Sequence, residues 1–343
     1  MQETTVTDGV TFAYRDSGVP GCTSNSQEGE YLTIIMIHGH TFHSGAMARM
    51  LDIAPSLGHR FISPNRRLYP GSTPYTKDEI DAFQPGRSTE EVLRVYLKQG
   101  EYLLLFVDNM IREHGLKRVL ITGWSLGAGF LSAMVCSLKS VEETVRQRLR
   151  RAVKALVWHD PPSSILGVPD PPTGGWVPLY DKSLSPEERQ RSFGKWVVQY
   201  FPHPNIEERD FRKLIYKNTP EHTQAQRSTY TDLPPEEMLQ MVDLNAGDKG
   251  DSFLGGEDFI PIGKVVWDLT FFSEETRKAW GDVPFSVIFG EESTWTVIWA
   301  AWKLAEEAVE RAMPVRCIGI PGVNHFPMQD HPDVLFDAYL KCL

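Results

Sequence analysis

The chain has 343 residues, of which 41% are hydrophobic and 23% are charged, a balance typical of a soluble globular protein. Its 35 Lys and Arg residues against 45 Asp and Glu residues give a formal net charge of -10, which disfavours nucleic acid and anionic membranes as partners. No apolar run approaches the ~18 residues that span a bilayer, and the N-terminal residues carry no secretory signal, so we expect a cytoplasmic protein that binds no membrane.

The pattern of apolar residues predicts strands that alternate with helices. Residues 5–16 alternate in strand fashion around Asp8-Gly9, a pair that favours a tight turn, and are predicted to form a β-hairpin. The continuous apolar run 32–37 is typical of a strand covered on both faces. A capping signal at Ser88 begins a long amphipathic helix that is predicted to end near His114. This alternation predicts a mostly parallel sheet with helices on both faces, which binds its ligands at the carboxyl ends of the strands.

Three histidines follow the first buried strand. His38, His40 and His43 form an H-x-H-x-x-H pattern, and three imidazoles at this spacing are one way to bind zinc. Metallohydrolases with an H-x-H pattern usually add an Asp-His pair just downstream, and this chain lacks the Asp. We therefore favour ordinary loop histidines and expect neither a metal nor another cofactor. The four cysteines also follow no metal-binding spacing and are predicted to be free thiols: Cys22, Cys136, Cys317 and Cys342.

A second apolar run, 119–122, ends at a G-x-S-x-G pattern centred on Ser125. A serine on a sharp strand-to-helix turn needs neighbours without side chains, here Gly123 and Gly127, because the backbones pass close together. The helix that follows is predicted to run to about residue 149. Its N-terminus offers free N–H groups and a helix dipole that favour developing negative charge. Ser125 is therefore the predicted nucleophile.

The regular alternation breaks after the next strand, which ends at Asp160. Prolines and helical stretches follow, with 15 Phe, Trp and Tyr residues between Ile165 and Trp280. An aromatic-rich helical insertion of this kind is predicted to form a lid over an apolar pocket. We expect Trp176 in the lid and Trp124 beside the nucleophile to contact the substrate. Two further strands follow the lid, which gives a first core segment, a lid and a second core segment: 1–164, 165–280 and 281–343.

These motifs, together with the Pro-Gly-Val-Asn-His sequence that ends at His325, resemble the lid-bearing branch of the α/β-hydrolase superfamily. The resemblance implies the α/β-hydrolase fold, a mostly parallel, doubly covered sheet with a helical lid inserted between two late core strands. It identifies His325, in the loop after the last predicted strand, as the general base. It also implies an oxyanion hole formed by the amide of His40, which follows the His38-Gly39 pair, and the amide of Leu126.

The resemblance leaves the catalytic acid open. Most members carry it after the strand before the last, three residues beyond a glycine, where this chain has Ser293. Glu291 or Glu292 would then serve from a shifted position. Haloalkane dehalogenases and certain lactone hydrolases instead carry the acid after the strand that follows the nucleophile helix, where this chain has Asp160. We favour Asp160 and keep Glu292 and Glu291 as alternatives.

One further segment matches the superfamily only in part. Residues 65–72 resemble a loop that commonly reads D-x-R-G-x-G-x-S, but Asn65 replaces the Asp and Pro70 lies near the expected glycine. We interpret this segment as a surface turn set by proline and glycine.

The predicted function is that of a serine hydrolase. Ser125 attacks an ester or lactone carbonyl of an apolar small molecule while His325 takes its proton. A serine at the elbow, in place of an aspartate, disfavours epoxide hydrolysis and dehalogenation. Lactone hydrolysis of the kind performed by zearalenone-type lactonases is the favoured subclass, on the strength of the Asp160 position and the lid. The sequence leaves open a ligand receptor with little turnover, a C–C bond hydrolase and a thioesterase, and it does not indicate the oligomeric state.

Overall fold

An eight-stranded sheet forms the centre of the computed structural model, which describes residues 1–21, 30–172, 174–218, 228–230 and 233–343. The strands within these residues are β1 Gln2–Thr5, β2 Thr11–Asp16, β3 Leu32–Ile37, β4 Arg60–Pro64, β5 Arg118–Trp124, β6 Val153–His159, β7 Phe285–Gly290 and β8 Arg316–Ile320. Their spatial order is β1-β2-β4-β3-β5-β6-β7-β8. The pairs β1–β2 and β2–β4 are antiparallel and the others are parallel, as the sequence predicts.

The opening hairpin is confirmed. The amide of Val6 donates to the carbonyl of Val10 across the turn, at 2.8 Å. Asp8 and Gly9 both have positive φ angles, 58° and 69°, as in the turns whose twist matches that of two antiparallel strands.

The central strands are covered on both faces, because all six residues of β3 and of β7 are buried. The register of the parallel strands decides which chain segments meet at their carboxyl ends. Ile37 pairs with Gly123, so the residues after β3 lie beside the end of β5. Trp124 pairs with His159, so Asp160 lies beside Ser125. The sheet thereby gathers segments that are far apart in sequence.

Helix α3 packs against α4 and α5, and α1, α12 and α13 pack together. The α-helices in the described part are α1 Ala48–Ile53, α2 Lys77–Ala82, α3 Thr89–His114, α4 Leu126–Cys136, α5 Glu143–Ala152, α6 Pro186–Val197, α7 Pro235–Met238, α8 Asp251–Leu254, α9 Ile260–Trp267, α10 Glu274–Trp280, α11 Trp295–Glu310, α12 Pro327–Asp330 and α13 Pro332–Leu340. None of the helices among the described residues has the length and apolar character needed to cross a membrane. The long helix predicted from Ser88 is confirmed as α3, which Ser88 caps by accepting a hydrogen bond from the Glu91 amide.

The single helix predicted over 126–149 is wrong, because the chain forms two helices there. After α4 ends, the Ser137 hydroxyl donates to the Leu97 carbonyl at 2.7 Å, and Val141 is extended before α5 begins. The short 3₁₀ turn over Ser137–Ser140 and the extended Val141 therefore separate α4 from α5.

Residues 165–280, hereafter the insert, lie between β6 and β7 in the chain, and their described part consists of α6 to α10 joined by turns and loops. The insert packs on the core through α9, which contacts α3 and α4. It also pairs with the segment after β3, where Phe42 and Val242 form an isolated antiparallel bridge. The action of the insert as a lid stays a prediction.

The cysteine prediction is confirmed for the three cysteines that the structure describes. Cys136, Cys317 and Cys342 are free thiols. Cys22 lies outside the described residues.

Candidate active site

Ser125 occupies a strained turn between β5 and α4. Its φ and ψ angles are 55° and -125°, a combination that residues with side chains rarely adopt. A Cβ atom on Gly123 would collide with the carbonyl oxygen of Gly127, and one on Gly127 would collide with the carbonyl oxygen of Ile37. The spacing of the G-x-S-x-G pattern is therefore a steric requirement of this turn.

His325 and Asp160 meet at the carboxyl end of the sheet. The Nδ1 atom of His325 lies 2.8 Å from Oδ2 of Asp160, and the Asp160 side chain is fully buried. A carboxylate only accepts hydrogen bonds, so Nδ1 is the donor and Nε2 keeps the lone pair that a general base uses. Within the described residues, neither Glu291 nor Glu292 makes a hydrogen bond or an ion pair with His325.

Ser293, at the position where an acid was expected, contacts that carboxylate. Its hydroxyl donates to Oδ2 of Asp160 at 2.6 Å, and the amide of Gly290 donates to Oδ1 at 2.8 Å. Both carboxylate oxygens therefore have donors besides His325, which compensates for the burial of the charge. We did not predict this contact from the sequence, and the only available signal was a serine in place of the usual acid.

The loop that carries His325 is attached to both the elbow and the insert. Trp124, next to the nucleophile, donates from Nε1 to the His325 carbonyl at 2.9 Å. The Asn324 side chain donates to the Val198 carbonyl at 3.1 Å and to the Thr229 hydroxyl at 3.0 Å, and both partners belong to the insert. Among the described residues the Ser125 hydroxyl makes no hydrogen bond with His325 Nε2. Such catalytic bonds are often long until substrate binds.

The residues predicted to form the oxyanion hole adjoin the nucleophile: Leu126 follows Ser125 in the chain, and Gly39, which precedes His40, is close to it in space. Leu126 begins α4, so its N–H has no partner within the helix. Gly39, which precedes His40, lies so close to the nucleophile that a Cβ atom on it would be 2.9 Å from Ser125 Cβ and 3.4 Å from Ser125 Oγ. Neither the His40 amide nor the Leu126 amide donates a hydrogen bond to another described residue.

The three closely spaced histidines each have hydrogen-bond partners. His38 donates from Nδ1 to the Gly39 carbonyl and accepts at Nε2 from the Arg66 amide, and burial together with the nearby guanidinium lowers its pKa well below the usual value. His43 accepts at Nδ1 from the Gly45 amide, and burial lowers its pKa to about 4. The described part of the chain holds no group of three His, Cys, Asp or Glu side chains arranged to bind a metal, so the zinc hypothesis has no support there.

The interpretation of residues 65–72 as a surface turn is wrong. Asn65, Arg66 and Arg67 are all buried. Asn65 accepts a hydrogen bond from the Ser44 amide at 3.0 Å, and Arg67 pairs with Glu79 at 2.6 Å. Proline and glycine do shape the turn, but its polar side chains point into the protein, where they find buried partners.

Comparison with known proteins assigns the family. The model described as "Alpha/beta hydrolase family" matches residues 34–338 of the sequence. The chain belongs to the alpha/beta hydrolase family. Its fold is the α/β-hydrolase fold that the sequence predicts. No curated protein matches this hydrolase at a significant level.

Solved structures resemble this alpha/beta hydrolase over nearly its whole length. DBJA is 14% identical, the match covers 98% of this chain and 95% of that one, and the TM-score is 0.51. A bromoperoxidase from Bacillus anthracis is 15% identical over 99% and 100% of the two chains, with a TM-score of 0.49. Epoxide hydrolase I from potato (Solanum tuberosum) is 16% identical over 99% of both chains, with a TM-score of 0.48. At these identities the likeness concerns the fold alone.

The alpha/beta hydrolase has a cavity of about 770 Å³ between the insert and the segment after β3. His40 lies on its wall, and Phe42, also on the wall, packs edge-on against Trp124 and Phe326, the sequence neighbours of Ser125 and His325. Its apolar lining residues include Leu179, Phe193, Val198, Met238, Val242 and Leu244. Ser125 and His325 themselves do not line it.

The two tryptophans expected to contact substrate do not line this cavity either. Trp124 is buried against the His325 loop. Trp176 donates from Nε1 to Asp181 at 2.9 Å, and the ammonium of Lys217 lies 3.6 Å from the centre of its ring. Their contact with the substrate of this hydrolase stays a prediction.

A buried histidine next to the site should make the stability of this hydrolase depend on pH. Burial lowers the pKa of His159 from its usual 6.5 to about 4, although Asp160 opposes the shift. Because the unfolded chain binds this proton more readily, stability should fall as the pH drops from 6.5 to about 4, by at most on the order of 3 kcal/mol. The free energy of unfolding, measured with urea across this pH range, should fall less for His159→Asn than for the wild type. An equal fall in the two proteins would contradict the prediction.

Proposed function

We propose that the protein is a serine hydrolase that cleaves an ester or lactone bond of an apolar small molecule through an acyl-enzyme intermediate. The observation that carries the proposal is the 2.8 Å hydrogen bond between His325 and Asp160, beside the strained turn of Ser125. A serine hydroxyl is a poor nucleophile at neutral pH and needs a base that a third group orients. Family membership agrees with this class of chemistry.

The proposed mechanism assigns one task to each group. Ser125 Oγ attacks the carbonyl carbon while His325 Nε2 accepts the hydroxyl proton, and Asp160 stabilises the imidazolium that forms. The amides of His40 and Leu126 hold the oxyanion. His325 then gives its proton to the leaving alkoxide. Water that His325 deprotonates hydrolyses the acyl-enzyme and regenerates the serine.

The cavity and the insert support the proposed substrate class. A volume of about 770 Å³ with mostly apolar walls fits a drug-sized apolar molecule. We propose that the insert acts as a lid over this molecule, since it supplies most of the cavity wall. An aromatic lactone is the preferred subclass, because Phe42, Phe193 and Tyr230 offer ring faces and edges to an aromatic group.

A panel of chromogenic esters tests the proposal. The purified protein should hydrolyse p-nitrophenyl esters, with kcat/KM rising from acetate to longer acyl chains as more apolar surface is buried. Ring opening of macrocyclic aromatic lactones, followed by chromatography, tests the subclass. Absence of turnover on every ester and lactone, with tight binding of the same compounds, would instead favour a receptor.

Gly194 offers a way to test whether the cavity binds the substrate. It lies on the cavity wall in α6, and no atom lies within 4 Å of the position its Cβ would take, so a Cβ atom fits there without a clash. We expect Gly194→Leu to raise KM for bulky aromatic esters about tenfold, because it takes up cavity volume. KM for p-nitrophenyl acetate should change less than about twofold, since a small ester leaves that volume free.

The matched control is Gly194→Ala. It should stabilise α6 by about 0.5–1 kcal/mol, because alanine favours helix more than glycine does, and it should leave both KM values nearly unchanged. Equal KM values of Gly194→Leu and wild type for the bulky esters would place the substrate elsewhere.

A further inference from the structure

A buried ion pair joins the core to the insert. Arg66 donates from Nη1 to Oδ1 of Asp251 at 3.0 Å and from Nη2 to Oδ2 at 2.5 Å, and both side chains are almost completely buried. The Tyr69 hydroxyl donates to Oδ2 of Asp251 at 2.6 Å. Burying two charges carries a large desolvation cost, so such a pair is weak evidence for stability. Arg66 and Tyr69 also bond to the backbone of the segment after β3.

Arg66 fixes the peptide that carries one oxyanion amide. Its Nη2 atom donates to the Gly39 carbonyl at 2.9 Å, and Nδ1 of His38 donates to the same oxygen at 3.0 Å. That carbonyl and the His40 N–H belong to one planar trans peptide, so they point in opposite directions. Because Arg66 holds the carbonyl oxygen on its own side of the peptide, the His40 N–H points away from Arg66. The residue that begins this peptide borders the nucleophile, because a Cβ atom on Gly39 would lie 3.4 Å from Ser125 Oγ.

Tyr69 holds the next peptide in a strained turn. The Phe42 amide donates to the His40 carbonyl at 2.7 Å, which closes a three-residue turn around Thr41, whose φ is 67°. A β-branched residue at positive φ is strained and persists only where its surroundings hold it. The Thr41 amide donates to the Tyr69 hydroxyl at 2.9 Å. The insert contributes again, because the Asp243 amide donates to the Thr41 carbonyl at 2.8 Å.

We propose that Asp251 is a positioning residue that acts through Arg66 and Tyr69 to aim the His40 amide at the oxyanion. This inference rests on the proposed hydrolase function and adds a role for the insert, which supplies the carboxylate. Asp251 orients the guanidinium and accepts a hydrogen bond from the Tyr69 hydroxyl, so the phenol oxygen is turned to accept from the Thr41 amide. The charged guanidinium also polarises the Gly39–His40 peptide, which strengthens its N–H as a donor.

Tyr69→Phe tests the proposal, since it removes one hydroxyl and leaves the ion pair intact. We expect kcat to fall about 10- to 100-fold with KM within about twofold of wild type, because an oxyanion contact acts in the transition state. Binding of a trifluoromethyl ketone, which forms an oxyanion on the serine, should weaken by a similar factor. Asp251→Asn should also lower kcat and weaken binding of the ketone. If Asp251→Asn does not fold, Tyr69→Phe alone tests the proposal.

The matched control is Tyr102→Phe. The Tyr102 hydroxyl also donates to a carboxylate, that of Asp8 at 3.0 Å, but on the N-terminal hairpin. Its kcat and its affinity for the ketone should equal those of the wild type. This control separates the effect of losing any tyrosine–carboxylate hydrogen bond from the effect of losing the bond between Tyr69 and Asp251.

The outcomes separate the two proposals. An active wild type with unchanged kcat and unchanged ketone affinity in Tyr69→Phe would overturn the positioning role alone. A fall in kcat with unchanged ketone affinity would also overturn it, because the oxyanion contact would be intact. A wild type that neither hydrolyses esters nor binds the ketone would overturn the hydrolase function and the positioning role with it.

Discussion

Replacing Ser125 by alanine is expected to reduce ester turnover about 10⁵- to 10⁶-fold, to the residual rate that binding and the oxyanion amides supply. The reason is that the hydroxyl on the strained turn is the proposed nucleophile, and the amides of His40 and Leu126 donate to no other described residue. Initial rates on the best p-nitrophenyl ester, measured with enzyme in excess for the variant, give this ratio.

The control for this variant is Ser132→Ala, in the helix that follows Ser125. The Ser132 hydroxyl accepts a hydrogen bond from Trp158 at 2.9 Å and has no place in the mechanism. Its removal leaves a buried indole donor unpaired, so stability should fall by about 1–3 kcal/mol while turnover stays within a few-fold of wild type. Undiminished turnover in Ser125→Ala would mean that another group performs the hydrolysis.

Replacing Asp160 by asparagine is expected to lower kcat about 10³- to 10⁴-fold. An asparagine side chain keeps the shape but offers a donor as well as an acceptor to His325, so it no longer fixes the proton on Nδ1. The fully buried carboxylate also stabilises the imidazolium in the transition state, and a neutral amide does so much less. The measurement is kcat for the same ester, together with the urea midpoint to check folding.

Glu291→Gln and Glu292→Gln provide the comparison that identifies the acid. Neither side chain bonds to His325 among the described residues, so both variants should retain kcat within about threefold. A loss of 10³-fold or more in one of them, with Asp160→Asn nearly active, would assign the acid to a glutamate and contradict the arrangement of this site.

Much of the fold follows from local sequence patterns. The apolar run that predicts β3 and the capping residue that predicts α3 each lie in the element or directly before it. The elbow is equally local, because Gly123 and Gly127, two positions before and after Ser125, are a steric requirement of the turn. Asp160 was favoured because it follows the strand after the nucleophile helix and because Ser293 is not an acid.

What the sequence did not reveal depends on pairs of distant residues. The buried partner of Arg66 is Asp251, 185 positions away, and nothing in the spacing of residues 65–72 indicates it. The donor role of Ser293 toward Asp160 is similar, since a lone serine after a strand has no pattern of its own. The Ser137 hydroxyl at the end of α4 likewise bonds to a carbonyl of another helix. Such contacts arise from the way elements pack, and periodicity within one element does not contain them.

The central claim is that Ser125 is an activated nucleophile, and intact-mass analysis after treatment with a fluorophosphonate tests it most directly. Wild type and Ser132→Ala should each gain one phosphonyl group, Ser125→Ala should gain none, and His325→Ala should react far more slowly. A wild type that stays unmodified, or a Ser125→Ala variant that still gains the group, would contradict the account.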